Sequence, residues 1–141
     1  NSFVPLSLSL SLSLSLSLSL SFYLGHASSR HELRALSGKR EKNGNNSSSL
    51  CDAIVTPSPG ILTFPILKGF CHSGLVVTED EVLKAMKIAF ERLKIVIEPG
   101  GAVALAAALY HSELLDCKTI LVVASGGNVD PEIFSKALSI A

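Results

Sequence analysis

Three patterns of hydrophobic and polar positions divide the chain. From Ser7 to Ser21 serine and leucine alternate without a break, a period of two that formally reads as a strand with one leucine face and one serine face. Such regularity marks low complexity more than a packed element. Residues 1–28 are therefore expected to be nonglobular and residues 29–141 to carry the folded part. From Arg30 to Ser49 the chain is polar and charged, with Lys39-Arg40-Glu41-Lys42 followed by Asn43-Gly44-Asn45-Asn46, which reads as a solvated linker. Beyond Leu50, apolar positions recur at strand and helix spacings.

Those spacings predict the elements in order. The short apolar run Leu50 to Val55, with serines before it and prolines after it, predicts a strand. Pro57, Pro59 and Gly60 force a turn, and Ile61 to Gly69 follows as a short helix with Leu62, Ile66 and Leu67 inward, Pro65 being the residue at odds with it. A second helix opens at Thr78: its hydroxyl can cap the first turn while Glu81 reaches back to the cap amide, a reciprocal pair contributing about 1 kcal/mol. Val82, Ala85, Met86, Ala89, Phe90 and Leu93 then form one apolar stripe, read as core packing. An alanine-rich helix is expected from about Gly101 to His111, a buried strand over Lys118 to Ala124, and a last helix from Asp130-Pro131-Glu132 with Ile133, Phe134 and Leu138 inward. Strand, helix, strand, helix predicts an α/β layer arrangement.

Composition narrows the partners. The 141 residues hold 12 basic and 12 acidic side chains, so no positive excess supports a nucleic-acid partner. The Ser-Leu repeat has no basic residue before it and a serine at every second position, which makes a poor secretory core and a poor membrane span. Small residues at Ala27-Ser28 keep an export signal open, and a membrane anchor built on the repeat is the corresponding rival. Cys51, Cys71 and Cys117 are odd in number and widely spaced. That argues against a disulfide framework or a four-ligand zinc site and for free thiols in a reducing compartment. Cys71 beside His72 is expected in a solvent-facing loop, because adjacent residues rarely converge on one point.

Candidate chemistry lies late in the chain. The apolar run ends at Ser125-Gly126-Gly127-Asn128, and Glu98-Pro99-Gly100-Gly101 stands a helix's length upstream. In α/β proteins ligands collect outside the carboxyl ends of strands, where glycine permits close backbone approach. A plain strand-ending turn would look the same when taken alone.

Several motifs in one order change that balance. Ser49-Leu50-Cys51-Asp52-Ala53, Thr56-Pro57-Ser58-Pro59-Gly60 with Leu62-Thr63-Phe64, Val77-Thr78-Glu79-Asp80-Glu81, Glu91-Arg92-Leu93-Lys94, Glu98 to Ala104 and Ser125 to Asp130 together resemble the C-terminal part of the serine/threonine dehydratases, pyridoxal-phosphate enzymes related to serine racemase. A looser similarity reaches back to about Ser29 through Arg34-Ala35-Leu36-Ser37-Gly38. The resemblance implies an α/β, partial fold-type-II (tryptophan synthase β-like) lobe. It implies pyridoxal 5'-phosphate as cofactor, with Ser125, Gly126, Gly127, Asn128 and Glu98 on the pyridine side. A serine hydroxyl at the ring nitrogen cannot hold it protonated as a carboxylate would, which weakens the electron sink and suits β-elimination of water, giving a 2-oxo acid and ammonia. Glu98 reads equally as a carboxylate at a helix N-terminus, and Asn128 as a turn former. Asp52 matches a family position without an evident chemical role.

The family's Schiff-base lysine, in a Ser-x-Lys-x-Arg-Gly motif, and its glycine run for the phosphate have no counterpart in these residues. Nor do the acidic residues that bind a divalent cation in some relatives. The expectation is a C-terminal portion of a dehydratase that is catalytically silent by itself. The implied full enzyme takes a small amino-acid substrate and is a cytoplasmic homodimer, without nucleic-acid or membrane partners. Serine, threonine, racemisation and hydroxyaspartate cleavage all stay open, and a noncatalytic α/β interaction module is the rival from another class.

Overall fold

The computed structural model describes residues 10–14, 20–27, 49–54 and 60–141. A four-stranded sheet runs in the order β3-β2-β1-β4, from β1 (Leu10–Leu14), β2 (Leu20–Ala27), β3 (Cys71–Val77) and β4 (Thr119–Val122). β1 is antiparallel to both β2 and β4, whereas β2 and β3 are parallel. One stretch of the repeat, Leu10–Leu14, and the segment Leu20–Ala27 that begins with its last two residues, both expected outside the globular part, are thus paired into the sheet. The two-residue period that read formally as a strand is realised as one, because an alternating chain can satisfy its backbone groups on a ladder. The linker reading from Arg30 falls almost wholly on residues outside those described, as do Pro57 and Pro59.

The expected strand at Leu50 to Val55 is a correction. Asp52–Ile54 is a 3-10 turn, and the backbone amides around it bond outside any ladder: Ile54 N–H to the Cys51 carbonyl at 3.0 Å and Cys51 N–H to Ser49 Oγ at 3.2 Å, both local, and Leu50 N–H to the distant Glu79 Oε1 at 3.0 Å. Serine and acidic side chains compete with sheet pairing in this way. Helix α1 (Thr63–Phe70) keeps Pro65 in its first turn, where the missing N–H costs nothing. Its expected inward face is corrected at two of three positions, Leu62 and Ile66 being 85% and 60% exposed; the side chain of Leu67, the third, lies outside what the structure describes. Cys71 and His72 begin β3 rather than a loop.

Helix α2 (Glu79–Ile88) starts as the sequence predicts. Thr78 is its N-cap, Glu81 N–H donates to Thr78 Oγ1 at 3.2 Å, and Thr78 N–H donates to Glu81 Oε2 at 2.7 Å. Val82, Ala85, Met86 and Ala89 are buried, with Leu83 beside them, while Phe90 and Leu93 turn outward. The last turn, Ala89–Leu93, widens to π geometry and closes on Lys94 at φ 60°. Helix α3 (Pro99–Tyr110) opens two residues earlier than predicted, with Pro99 in the N-terminal position it tolerates. It is buried almost all round and packs on α2, β2 and β3, which its small side chains permit. β4 is shorter than the predicted run, and its burial alternates, with Leu121 52% exposed. Helix α4 (Pro131–Ser139) is capped by Asp130, which accepts from Glu132 N–H at 2.8 Å. It lies on α2 through an edge-to-face pair, Phe90 and Phe134 at 5.4 Å, and through Lys87 Nζ donating to the Ile140 carbonyl at 2.6 Å.

Candidate functional site

Glu98 and the Ser125–Asn128 turn meet at the N-terminus of α3, just past the carboxyl end of β4. Two backbone facts hold them together. Glu98 N–H donates to the Gly126 carbonyl at 3.1 Å, and the Ser125 carbonyl lies so close to Gly101 that a Cβ there would sit 2.0 Å from its oxygen. Gly126 has φ 82°, and a Cβ on it would meet the Glu98 carboxyl carbon at 2.6 Å. Only glycine has both the left-handed freedom and the clearance. The Gly127 backbone is pressed against the Val96 carbonyl in the same manner, at 2.9 Å from its would-be Cβ.

The Glu98 carboxylate therefore rests against the turn. It is the N-cap residue of α3, yet its side chain makes no cap hydrogen bond, so the helix N-terminus does not consume its acceptor capacity. Beside it opens a concavity of about 300 Å³, lined on one side by Glu98, Pro99 and Gly100, on another by Asn128 and Asp130, and on a third by Leu50, Asp52 and Ala53. Of the residues singled out in the sequence, Glu98 and Asn128 line this space, whereas Ser125, half-buried, Gly126 and Gly127 do not. Asp52 is the residue that sequence reasoning left without a role. Reading positions 50–55 as a strand hid it, whereas the serine at 49 and the acid at 52 were the available signals for a turn.

Behind the lining, Cys51 is fully buried, and burial pushes its thiol up to about 11; it is a packing group, not a nucleophile. At the start of α2, Glu81 feels burial first, which raises its pKa. The hydrogen bonds from Thr78, with His111 Nε2 3.2 Å away, outweigh that and hold the carboxyl below its ordinary value. Among the described residues no group of three histidine, cysteine or acidic side chains is arranged to hold a metal. No described helix is long and apolar enough to cross a membrane.

A family model for pyridoxal-phosphate dependent enzymes matches residues 26–126. The chain belongs to that family. Serine racemase of Dictyostelium discoideum is 42% identical over 107 residues, a match covering 74% of this chain and 33% of the racemase. L-threonine ammonia-lyase of Thermotoga maritima is 30% identical over 107 residues, 76% of this chain and 26% of the lyase. The crystal structure of the Dictyostelium racemase aligns with a TM-score of 0.66 at 39% identity, over 77% of this chain and 35% of that one. Maize serine racemase shares the fold with a TM-score of 0.73 at 23% identity, over 86% and 39%. The lobe is thus part of a fold-type-II architecture, and the chain spans a third or less of the curated relatives just described.

The family is pyridoxal-phosphate dependent, and the donor set fits one side of that cofactor. A carboxylate, Glu98, and an amide, Asn128, line the concavity, and Glu98 rests on the glycine turn that Ser125 opens. These groups suit a heteroaromatic nitrogen. They do not suit a phosphate, for which carboxylates are the wrong charge.

Proposed function

We propose that this chain supplies the pyridine-nitrogen side of the cofactor site in an enzyme that removes water from L-serine or L-threonine. The observation carrying this reading is the contact of the Glu98 carboxylate with Gly126, which sets an acid beside the turn bearing Ser125. The names of the relatives, serine racemase and threonine ammonia-lyase, agree with a hydroxy amino acid as substrate. When bound, the cofactor takes up electron density released at the substrate's Cα. Ser125 contributes a neutral hydroxyl that exchanges a hydrogen bond with the ring nitrogen without fixing a proton there. Gly126 and Gly127 let the Glu98 carboxylate and the Val96 carbonyl approach the turn that carries Ser125. Glu98 sets the polarity next to Ser125, and Asn128 orients the turn and offers an amide to the concavity.

We further propose that the chain alone is catalytically incomplete and that the working enzyme is a cytoplasmic homodimer. Its lysines, Lys39, Lys42, Lys68, Lys84, Lys87, Lys94, Lys118 and Lys136, occur outside the family's Schiff-base motif. The test uses the complete coding sequence from the same locus, assayed for a 2-oxo acid and ammonia from each hydroxy amino acid. Ser125→Ala is expected to cut kcat for dehydration by about a hundredfold while cofactor content changes little, the order of effect of losing one positioned polar contact at the reacting centre. A Ser125→Ala enzyme with unaltered kcat and an unshifted cofactor absorption band would sink the assignment.

A further inference from the structure

The turn at 50–54 forms one wall of the concavity, and a side chain from outside the site holds that wall. Leu50, Asp52 and Ala53 line the space. The turn also leans on the opening of α3, where a Cβ on Gly100 would lie 3.3 Å from Ile54 Cγ2, 3.7 Å from the Ala53 Cβ and 4.0 Å from Glu98 Oε1. Glu98 and Gly100 belong to one helix start, so any displacement of the turn changes the spacing between Asp52 and Glu98.

Two anchors fix the turn. The Cys51 side chain is fully buried, and the Leu50 N–H donates to Glu79 Oε1 at 3.0 Å, across 29 positions of sequence. Glu79 is the first residue of α2 and half-buried. Its backbone is set by the exchange of hydrogen bonds between Thr78 and Glu81 on either side of it, so the cap delivers a carboxylate at a fixed place. A hydrogen bond to a charged acceptor is roughly twice as strong as a neutral one. Acids in a first helical turn need no reason beyond the helix dipole, and the exposed Asp80 fits that simple role. Glu79 differs, because its oxygen is committed to a backbone donor of another segment.

We infer that Glu79 is a positioning residue for the candidate site: its bond to the Leu50 amide holds the wall that carries Asp52 at a set distance from Glu98. It touches neither cofactor nor substrate and acts through the turn. A wall already in place leaves less ordering to be done when a ligand enters. A wall in place only part of the time weakens apparent binding by that fraction. The effect falls on substrate capture and not on the reacting bond, so it belongs to KM. This inference rests on the reading of the site under Proposed function.

Two substitutions separate the bond from the charge. Glu79→Gln keeps an oxygen acceptor at the same reach and loses the charge, whereas Glu79→Asp keeps the charge and is one methylene too short. In the 141-residue chain, amide hydrogen exchange followed by NMR is expected to quicken at Leu50 about tenfold in Glu79→Asp and less than about threefold in Glu79→Gln, the scale of losing one hydrogen bond to a charged group. The amide resonances of Glu98 and Gly100 should move in Glu79→Asp and stay in Glu79→Gln. In the enzyme from the complete coding sequence, Glu79→Asp should raise KM about tenfold with kcat within about twofold and the cofactor absorption unmoved, while Glu79→Gln stays within about threefold of the parent. Circular dichroism checks the fold of each variant, and Glu79→Ala stands in should Glu79→Asp unfold. The opposite order, with Glu79→Gln the worse variant, overturns the inference by making Glu79 a helix-dipole charge. Leu50 exchange indifferent to both substitutions overturns it too, as does a KM that Glu79→Asp leaves unchanged in an active enzyme. A complete enzyme without dehydration activity, alongside Leu50 exchange in the expected order, would remove the functional reading and leave the held wall in place.

Discussion

At the residue scale, the site depends on glycines whose reason is visible only from what faces them. Gly126 at φ 82° has the Glu98 carboxylate where a side chain would go, and Gly101 has the Ser125 carbonyl there. Gly126→Ala forces a left-handed alanine and pushes Glu98 aside, so a loss of about 2 kcal/mol is expected, read as a lower urea midpoint at unchanged m-value. The sequence offered the motif, but the partner of each glycine comes from elsewhere in the chain. Asp52 illustrates the converse: one local misreading, strand for turn, concealed a residue of the lining.

At the scale of elements, the best-read helix is the one with local chemistry at its start. Thr78 and Glu81 exchange the hydrogen bonds that the sequence predicts because the cap is complete within four residues. Thr78→Ala removes one half of that exchange and is expected to lower stability by about 1 kcal/mol, measurable by chemical denaturation. Glu81 also sets a pH response. Its folded pKa is depressed, so its contribution is present above the ordinary value of 4.5 and is lost as pH falls below it. Urea midpoints of the parent chain should fall on acidification through that range. Glu81→Gln should flatten the fall, and an unchanged slope would contradict the account. Elements without such local signals were placed less well: α3 begins at Pro99 rather than Gly101, and α1 turns Leu62 and Ile66 to solvent, because which face is buried depends on neighbours that a periodic pattern does not specify.

At the scale of the whole molecule, the sheet joins parts of the chain that the sequence separates. β1 and β2 lie within the first 28 residues, yet β1 pairs with β4 and β2 with β3. We propose that the division at residue 28 is one of composition and not of folding. Removing residues 1–28 strips both pairing partners from β3 and β4, so residues 29–141 are expected to melt lower and less cooperatively than the intact chain, and to aggregate sooner through the exposed edges. Equal melting curves in calorimetry would contradict this.

What the sequence determined by itself are the features closed within a few residues: the Thr78 cap, the Asp130-Pro131 helix start, the strand-then-glycine pattern at 119–128, and the ordered motifs that carry the family resemblance. Local hydrogen bonds and backbone restrictions act over those distances, so no distant contact is needed to write them. Only the tertiary structure decided that Glu98 lies on Gly126, that Asp52 joins the lining, that strands from the first 28 residues enter the sheet, and that β4 keeps one apolar face in solvent. Each of these depends on which distant segments share a surface. Burial and strand register are properties of that pairing, and the residues on either side of it do not encode it separately.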